Sequence, residues 1–436
     1  MDKNLVKQYL LDFKETDFSK VREREKKLSS SSKIRAIIGA RRTGKTYLLY
    51  SRMKKLEEKG VSRNRIIYLN FENPVLDDIS YKEFKEVIKL HWYLFPESAR
   101  QKSYIFIDEP QVIPNWERAV RSLYDELDSE IYITGSSSGL LEKEMATSLR
   151  GRSIRTLLLP LSFREFLNFK NINHAPPFSS KKEALLAHYL KEYLQHGGYP
   201  EIVTEENNEE KIKILKEYFD LTIYKDLIDR YQIQNTRLIK SLIDMVAVSN
   251  AKPFSINKHY LDLKSRGLRL GKSTLYEYFN HLEDSLFIFS LKKFSYSQKT
   301  QNLSTPKIYL SDTGFLNLYS LQNFGQRLEN MVFLELLRKT YDNPQQTVNY
   351  WHSASGQEID FLISQGGKPR EAIQVSYEMN NKDTRQKEIK SLLAGMKEFG
   401  LNQGLILTLN ETGEEKQNGK TIKIKPAWKW LLENKS

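Results

Sequence analysis

The sequence has no cysteine among its 436 residues. This absence excludes disulfides, thiol nucleophiles, iron–sulfur clusters and zinc sites with thiolate ligands. Long apolar runs are also missing, because the least charged stretch, residues 340–357, contains Asp342 and many polar side chains. Charged residues from Asp12 onward interrupt the N-terminus, so we expect neither a signal peptide nor a membrane span. A cytoplasmic protein without membrane contact fits these absences.

The composition is that of a folded globular protein. Hydrophobic residues make up 39% and charged residues 28% of the chain, which excludes a disordered or repetitive sequence. At about 150 residues per domain, the length predicts roughly three domains. Lys and Arg number 68 against 55 Asp and Glu, giving a net charge of +13. This charge fits an anionic partner such as nucleic acid, although solubility alone would also account for it.

Short apolar runs, separated by helix-length segments, mark the first part of the chain. These runs are Ile34–Ile38, Ile66–Leu69, Tyr104–Ile107 and Ile131–Thr134. Their length and spacing predict a parallel sheet covered by helices on both faces. We assign this α/β domain to residues 1–161.

The rest of the chain predicts three further parts. Strand signals disappear over residues 162–235, which predicts a helical lid. Residues 236–310 predict a winged helix from two helices and two strands, in the order Ser255–Arg266, Ser273–Asp284, Leu286–Phe294 and Lys307–Leu310. Residues 311–436 return to a mixed pattern and predict a second α/β domain. The fold class is therefore an α/β multidomain protein.

A phosphate-binding loop directly follows the first predicted strand. Residues 39–46 match the pattern G-x-x-x-x-G-K-[ST] in its strand–loop–helix context. The residues whose backbone would wrap the phosphates are Gly39, Ala40, Arg41, Arg42, Thr43 and Gly44. Lys45 is expected to contact the β- and γ-phosphates, and Thr46 to ligate Mg²⁺. The sequence therefore predicts a nucleotide site that uses Mg²⁺.

Two adjacent carboxylates end the third predicted strand. Asp108 and Glu109 lie roughly 60 residues beyond the loop, where the second half of a phosphate-binding site is expected. Asp108 would hold Mg²⁺ through water, and Glu109 would orient and deprotonate the attacking water. Taken alone, such a pair is more often a solvated strand end. The upstream phosphate-binding loop favours a role for Asp108 and Glu109 in the nucleotide site instead.

Hydroxyl and guanidinium groups follow the fourth predicted strand. Thr134 or Ser136 could sense the γ-phosphate at the carboxyl edge of the sheet, or could simply cap the next helix. Further on, Arg152 carries a guanidinium suited to stabilising phosphate charge. From the residues alone, Arg152 would be interpreted as a surface charge.

Together these motifs resemble a family of bacterial and archaeal AAA+ ATPases. Its members join an N-terminal ATPase domain to a C-terminal DUF domain of restriction-endonuclease-like fold. The motifs that carry the resemblance are residues 39–46, 107–111, 116–117, 134–137, 149–152, 160–166, 197–201, 307–314 and 358–361. The resemblance implies a P-loop AAA+ core that binds ATP, Arg152 as an arginine finger, and assembly into a ring-like homo-oligomer.

Positive charge is concentrated in residues 236–310. Twelve bases against five acids give this segment +7 of the total net charge. A winged helix can insert its second helix into a nucleic-acid groove while Lys and Arg neutralise phosphates. The candidate contacts to DNA or RNA are Lys272, Ser273, Tyr276, Lys292 and Lys293. The alternative is a winged helix used for packing, with solvated lysines.

The C-terminal domain carries only part of a nuclease site. By resemblance, Glu329 and Asp360 stand where two of its carboxylates belong. The third element, Glu-x-Lys, is replaced by Gln374-Val375-Ser376, which leaves neither a carboxylate nor a lysine. Because this loss weakens a hard-cation site, Gln374 and Ser376 indicate a degenerate site, and we do not expect nuclease activity.

The predicted function is that of an ATPase. The chain is expected to bind and hydrolyse Mg-ATP, to switch the position of its domains with the nucleotide cycle, and to couple this cycle to nucleic acid. The alternatives are an interaction module in which ATP only orders the fold, and an ATP-regulated nuclease.

Overall fold

The computed structural model describes residues 1–29, 31–76, 78–136, 149, 151–267, 270–319 and 323–433. The chain divides into two compact units. The first comprises Met1–Leu158 with Asp284–Leu286, and the second comprises Leu159–Glu283 with Phe287–Ser436. No helix among the described residues is long and apolar enough to cross a membrane.

A five-stranded parallel sheet forms the centre of the first unit. Its strands are β1 (Ile34–Ile38), β2 (Ile66–Asn70), β3 (Ser103–Asp108), β4 (Ser129–Gly135) and β5 (Ser153–Leu157). They lie in the order β2-β3-β4-β1-β5, and every pair is parallel. The predicted α/β core is confirmed. Strand β5 escaped prediction because its polar sequence, Ser-Ile-Arg-Thr-Leu, lies at the sheet edge and is only partly buried.

Helices and the N-terminal segment cover this sheet. The helices are α1 (Lys3–Asp12), α2 (Lys45–Glu58), α3 (Phe84–Leu94) and α4 (Trp116–Glu126). One core cluster joins Leu49 and Met53 of α2 to Phe106 and Tyr132 of the sheet. Phe13, from the segment before β1, packs into the same cluster. Burial of these large apolar side chains is the main force that holds the strand ends in place.

The register of the sheet brings distant residues to one edge. Asn70 is paired with Asp108 at the ends of β2 and β3, and Ile38 is paired with Gly135 at the ends of β1 and β4. The loop after β1 and the carboxylates after β3 therefore meet at the carboxyl edge, where α/β proteins build nucleotide sites.

Helices dominate the middle of the chain. They are α5 (Phe163–Phe169), α6 (Ser180–His196), α7 (Pro200–Thr204), α8 (Asn208–Leu221), α9 (Thr236–Val248), α10 (Ile256–Ser265) and α11 (Lys272–Asp284), with a π-helical segment at Thr222–Asp229. A three-stranded sheet in the order β6-β8-β7 accompanies them. Its strands are β6 (Lys252–Pro253), β7 (Ile288–Leu291) and β8 (Lys307–Leu310).

The C-terminal part is built on a six-stranded mixed sheet. Its strands are β9 (Gln346–His352), β10 (Glu358–Gln365), β11 (Lys368–Val375), β12 (Gln403–Thr408), β13 (Gly413–Gln417) and β14 (Lys420–Pro426). They lie in the order β13-β14-β12-β11-β10-β9. The helices here are α12 (Gln298–Leu303), α13 (Phe324–Asp342), α14 (Lys382–Glu398) and α15 (Ala427–Glu433).

The strand predicted to run to Phe294 ends earlier. Strand β7 stops at Leu291, and the next residues pair with β9 instead. The N–H of Phe294 donates to Tyr350 O at 2.7 Å, and the N–H of Tyr350 donates to Lys292 O at 3.2 Å. The ribbon after α11 is therefore joined to the C-terminal sheet, because the backbone at residues 292–294 finds its hydrogen-bond partners there.

Candidate nucleotide site and a C-terminal carboxylate cluster

The phosphate-binding loop lies between β1 and α2. Gly44 adopts the left-handed conformation with φ of 92° and immediately precedes α2. A side chain at Gly39 would place its Cβ 2.4 Å from the Leu158 carbonyl oxygen, so only glycine fits there. Arg24 donates to the carbonyl oxygen of Thr43 at 2.7 Å. This contact, from the segment before β1, has no signature in the sequence.

Lys45 lies buried beneath this loop. Its Nζ donates to the carbonyl oxygens of Gly39 and Ala40, at 3.0 and 3.2 Å. The same Nζ lies 3.0 Å from Glu109 Oε1. The ammonium group thus joins the loop to the carboxylate that follows β3.

Three hydroxyl groups hold the carboxylate of Asp108. Thr46 donates to Oδ2 at 2.7 Å, and Tyr68 donates to the same oxygen at 2.9 Å. Thr134 donates to Oδ1. Burial raises the pKa of Asp108 and the charge of Glu109 raises it further, although the hydroxyls act in the opposite direction. Tyr68 was missed by the sequence analysis, since a tyrosine within a buried strand is usually core.

Glu109 occupies an unusual backbone conformation, with φ of 52°. Its N–H donates to Thr134 Oγ1 at 3.1 Å, and its Oε2 accepts from the N–H of Ser136 at 3.1 Å. Gln111 also donates to Oε2. Burial alone would raise the pKa of Glu109, but the Lys45 charge, the hydrogen bonds from Gln111 and Lys45 and the Arg41 charge together outweigh it and lower the pKa to about 2. Glu109 is therefore an ionised carboxylate at neutral pH.

These contacts also locate the two predicted sensor residues. Thr134 binds both acids, one through its donated proton and the other through its oxygen. Ser136 contacts Glu109 through its backbone. The structure therefore brings together Lys45, Thr46, both acids and both candidate sensors.

The arginines near the site have other partners. Arg41 forms an ion pair with Glu72, in the segment after β2. Arg152, just before β5, donates from Nε to Asp125 Oδ1 of α4 at 2.8 Å. Ser137 and Arg150, which belong to the motifs quoted above, lie outside the described residues.

Most of the chain matches three domain models. Residues 31–167 match the model of an AAA domain. Residues 187–327 and 324–429 match two domains of unknown function, DUF8612 and DUF4143. The predicted combination of an N-terminal AAA domain and a C-terminal DUF domain is confirmed.

Two relatives extend over most of the chain. The uncharacterized protein MJ1544 of Methanocaldococcus jannaschii is 38% identical over 410 residues, which cover 92% of this chain and 88% of the relative. An uncharacterized protein of Haemophilus influenzae is 30% identical and covers 77% of this chain and 78% of the relative. The chain belongs to the family of these two proteins.

Solved structures resemble this family member only distantly. The structure of PCH-2 from C. elegans has a TM-score of 0.28 at 16% identity, and it covers 46% of this chain and 60% of its own. A score this low carries no argument about the present chain.

The nucleic-acid candidates fall into two groups. Lys272 and Ser273 are exposed at the start of α11, and Lys272 Nζ lies 5.9 Å from the ring centre of Tyr276. Lys292 donates to Asn302 Oδ1 at 3.0 Å, and Lys293 is half-buried in a bridge with Tyr350. Arg269, another base of this segment, lies outside the described residues.

Glu329 and Asp360, the candidate carboxylates of the C-terminal domain, both contact a lysine that the sequence motifs did not identify. Lys307 Nζ lies 2.9 Å from Glu329 Oε1, 2.5 Å from Glu358 Oε1 and 2.9 Å from Asp360 Oδ1. It was counted among the twelve bases of the positive segment, but it is only 2% exposed. Its charge therefore belongs to this cluster and not to a nucleic-acid surface.

The two residues that replace Glu-x-Lys behave differently. Gln374 Oε1 accepts from the N–H of Asp360 at 3.3 Å, and Gln374 Nε2 donates to Glu388 Oε2 at 2.7 Å. Ser376 donates instead to the carbonyl oxygen of Glu378 at 3.1 Å. Gln374 therefore links Asp360 to a carboxylate of α14, while the lysine of the cluster comes from β8.

Proposed function

We propose that this chain binds ATP with Mg²⁺ at the loop after β1 and hydrolyses it. One observation carries the proposal: Thr46 and Asp108, 62 residues apart in sequence, share a hydrogen bond of 2.7 Å. In phosphate-binding loops, this threonine and this aspartate are the groups that attend Mg²⁺. The match of residues 31–167 to an AAA domain supports the same function.

The donor set fits a magnesium nucleotide. The backbone N–H groups of the loop and the start of α2 would bind the phosphate oxygens, and a Cβ at Gly39 would lie 2.4 Å from the Leu158 carbonyl oxygen, so the backbone is closely packed there. Lys45 would neutralise the β- and γ-phosphates. Thr46 and Asp108 would hold Mg²⁺, the hydroxyl directly and the carboxylate through water. Bound Mg²⁺ supplies positive charge to the phosphate oxygens as the bond to the leaving group breaks.

Glu109 would act on the attacking water. Its carboxylate is ionised at neutral pH and is held by Lys45, Gln111 and the Ser136 N–H. An ionised and fixed carboxylate can orient a water and accept its proton. Thr134 would keep Glu109 in register with Asp108, since it bonds to both.

Removal of the loop lysine tests the location of the site. Lys45→Ala should abolish ATP hydrolysis, because the buried ammonium is the principal positive charge at the loop. Glu126→Gln is the matched control, since this exposed carboxylate of the same unit pairs with Lys85 on the surface. Unchanged turnover in Lys45→Ala would place ATP hydrolysis elsewhere.

We also propose that Arg152 acts as an arginine finger for a neighbouring subunit of a homo-oligomer. Its ion pair with Asp125 is 30% and 38% exposed on the two sides, so a competing phosphate could capture the guanidinium at small cost. Mixing Arg152→Ala with Glu109→Gln tests this. A finger acting in trans lets the mixture recover turnover that each variant lacks alone, whereas a finger acting in cis leaves the mixture inactive.

Nucleic acid is the proposed partner of the ATP cycle. Without the buried Lys307, the segment of residues 236–310, proposed as a winged helix, has eleven bases against five acids, a charge of +6, and it exposes Lys272 beside Tyr276 at the start of α11. The proposed division around it comprises an ATPase domain to residue 161, a lid over 162–235 and a restriction-endonuclease-like domain from 311. ATP hydrolysis would move these parts relative to one another.

Salt dependence and stimulation test this partner. Turnover should rise on addition of double-stranded or single-stranded DNA, or of RNA. The logarithm of the association constant for nucleic acid should fall linearly with the logarithm of the salt concentration, and this slope should become shallower by about one for each phosphate contact removed. We expect this for Lys272→Ala and Lys292→Ala, with Lys85→Ala as a surface-lysine control in the first unit. Turnover that ignores every nucleic acid would favour a protein partner.

A further inference from the structure

Three acidic side chains in the second unit converge on a single nitrogen. The carboxylate cluster consists of Glu329 on α13 and of Glu358 and Asp360 on β10. One oxygen of each lies within 2.9 Å of Lys307 Nζ. Among the described residues, no group of three or more acidic or histidine side chains is arranged as a metal site. The geometric centre of this cluster is an ammonium group.

The ammonium group is fully used by these contacts. A lysine has three N–H donors and no acceptor, and three carboxylate oxygens surround it. The side chain is only 2% exposed, so solvent does not compete for the donors. An exposed lysine would keep its water shell, whereas this one has exchanged that shell for carboxylates. Lys307 therefore behaves as a fixed internal cation.

Neighbouring groups donate further hydrogen bonds to the carboxylate oxygens of the cluster. Tyr309 donates to Glu329 Oε1 at 2.8 Å, and the N–H of Val375 donates to Asp360 Oδ2 at 2.9 Å. The cluster is thus hydrogen-bonded by the chain's own residues, which is one condition for a stable buried ion group.

We propose that Lys307 is the permanent cation of this cluster, occupying the position in which a divalent metal would otherwise be bound, and that removing it converts the cluster into a divalent-cation site. Mg²⁺ prefers oxygen at about 2.0–2.1 Å, so it cannot share the cluster with an ammonium already in contact with the same oxygens. The ammonium of Lys307 joins β8 to α13 and β10. This inference is independent of the proposed ATPase function.

Manganese binding to the full-length chain tests the proposal. Mn²⁺ is the probe, and bound ions are counted from the loss of the free-ion EPR signal. Lys307→Ala should bind one Mn²⁺ more than the wild type, because three oxygen ligands lose their internal cation. The double variant Lys307→Ala/Asp360→Asn should lose that extra ion. The nucleotide site is the same in every variant and cancels in the comparison.

A second lysine serves as control. Lys420 Nζ donates to the carbonyl oxygens of Met396 and Leu401, at 3.1 and 2.5 Å. Lys420→Ala removes an ammonium held by neutral groups and should gain no Mn²⁺. A gain equal to that of Lys307→Ala would overturn the proposal, since it would reflect loosening of the fold.

Thermal unfolding provides a second test, with the wild type as the reference. Any rise of the wild-type midpoint between EDTA and Mn²⁺ should come from the nucleotide site and should be unchanged in Asp360→Asn. The midpoint of Lys307→Ala should rise with Mn²⁺, and it should do so even if this variant is poorly folded without the ion. The proposal is overturned if the wild type loses a bound Mn²⁺ on Asp360→Asn, or if it cleaves DNA with Mg²⁺ in a manner that Asp360→Asn abolishes. A folded Lys307→Ala that gains no ion would overturn it equally.

Discussion

Thr134 links the two acids of the nucleotide site, and its removal should disturb both. Its hydroxyl donates to Asp108 and accepts from the N–H of Glu109 at 3.1 Å. The side chain is fully buried. Valine is similar in shape and lacks the hydroxyl, so Thr134→Val removes these two hydrogen bonds while keeping most of the packing.

The loss of stability has two parts. The buried Glu109 N–H is left without an acceptor, which costs about 1–3 kcal/mol, and Asp108 loses a hydrogen bond to a charged group, worth about 1.5–3 kcal/mol. Because Asp108 keeps the hydroxyls of Thr46 and Tyr68, we expect a total of about 3 kcal/mol. At about 2–4 °C per kcal/mol for a unit of this size, the midpoint should fall by about 6–12 °C.

Thermal unfolding and steady-state ATP turnover measure the two consequences. Turnover should fall at least about tenfold, since Glu109 loses its backbone anchor and general-base catalysis depends on position. ATP affinity should change little because Lys45 and the loop are untouched. Thr156→Val is the control, a buried threonine on β5 whose hydroxyl contacts neither acid. The reasoning fails if Thr134→Val is no less stable than this control and turns over ATP at the wild-type rate.

Two further predictions concern stability. Gly197→Ala should lower the free energy of unfolding of the second unit, measured in urea, by at least about 3 kcal/mol. The added Cβ would lie 1.6 Å from Asp312 Oδ1 and break the hydrogen bonds of that buried carboxylate. Gly400→Ala is the control: Gly400 has a positive φ but open space around it, so its substitution should cost only about 1–2 kcal/mol. Burial, with the Arg63 charge, lowers the pKa of Lys14 from 10.5 to about 7, so the unfolded chain binds a proton that the folded chain lacks between these values, and the free energy of unfolding should rise with pH across that window. Lys14→Met should flatten this rise, and an unchanged pH profile would disprove the assignment.

Local motifs made the nucleotide site predictable. Residues 39–46 specify their own strand–loop–helix geometry, and Asp108 and Glu109 follow an apolar run whose burial fixes the strand. The contacts that align the acids were not predictable in the same way. Tyr68 reaches Asp108 from the neighbouring strand, and Arg24 reaches the loop from the segment before β1. Each depends on which elements pack together, and neither leaves a pattern in the sequence.

In the C-terminal part, the sequence did not reveal that Lys307 contacts the candidate carboxylates. The resemblance pointed to Glu329 and Asp360, and both contact Lys307 in the structure, but the sequence offers neither a carboxylate nor a lysine at the position of Glu-x-Lys. Lys307 lies 53 residues before Asp360, on a strand that seemed to belong to a nucleic-acid surface. A charge within an apolar strand sequence, Lys-Ile-Tyr-Leu, was the one available signal of a buried ion pair. The partner of such a charge becomes visible only when the sheets are assembled.

Glu109→Gln provides the most direct test of ATP hydrolysis at this site. ATP binding and single-turnover hydrolysis should be measured on the same preparation. The account predicts an affinity within about threefold of the wild type, because the loop and Lys45 remain, and a rate reduced at least about 100-fold, because the general base is lost. Hydrolysis by Glu109→Gln at the wild-type rate would contradict the assignment of Glu109 and the account of the site that rests on it.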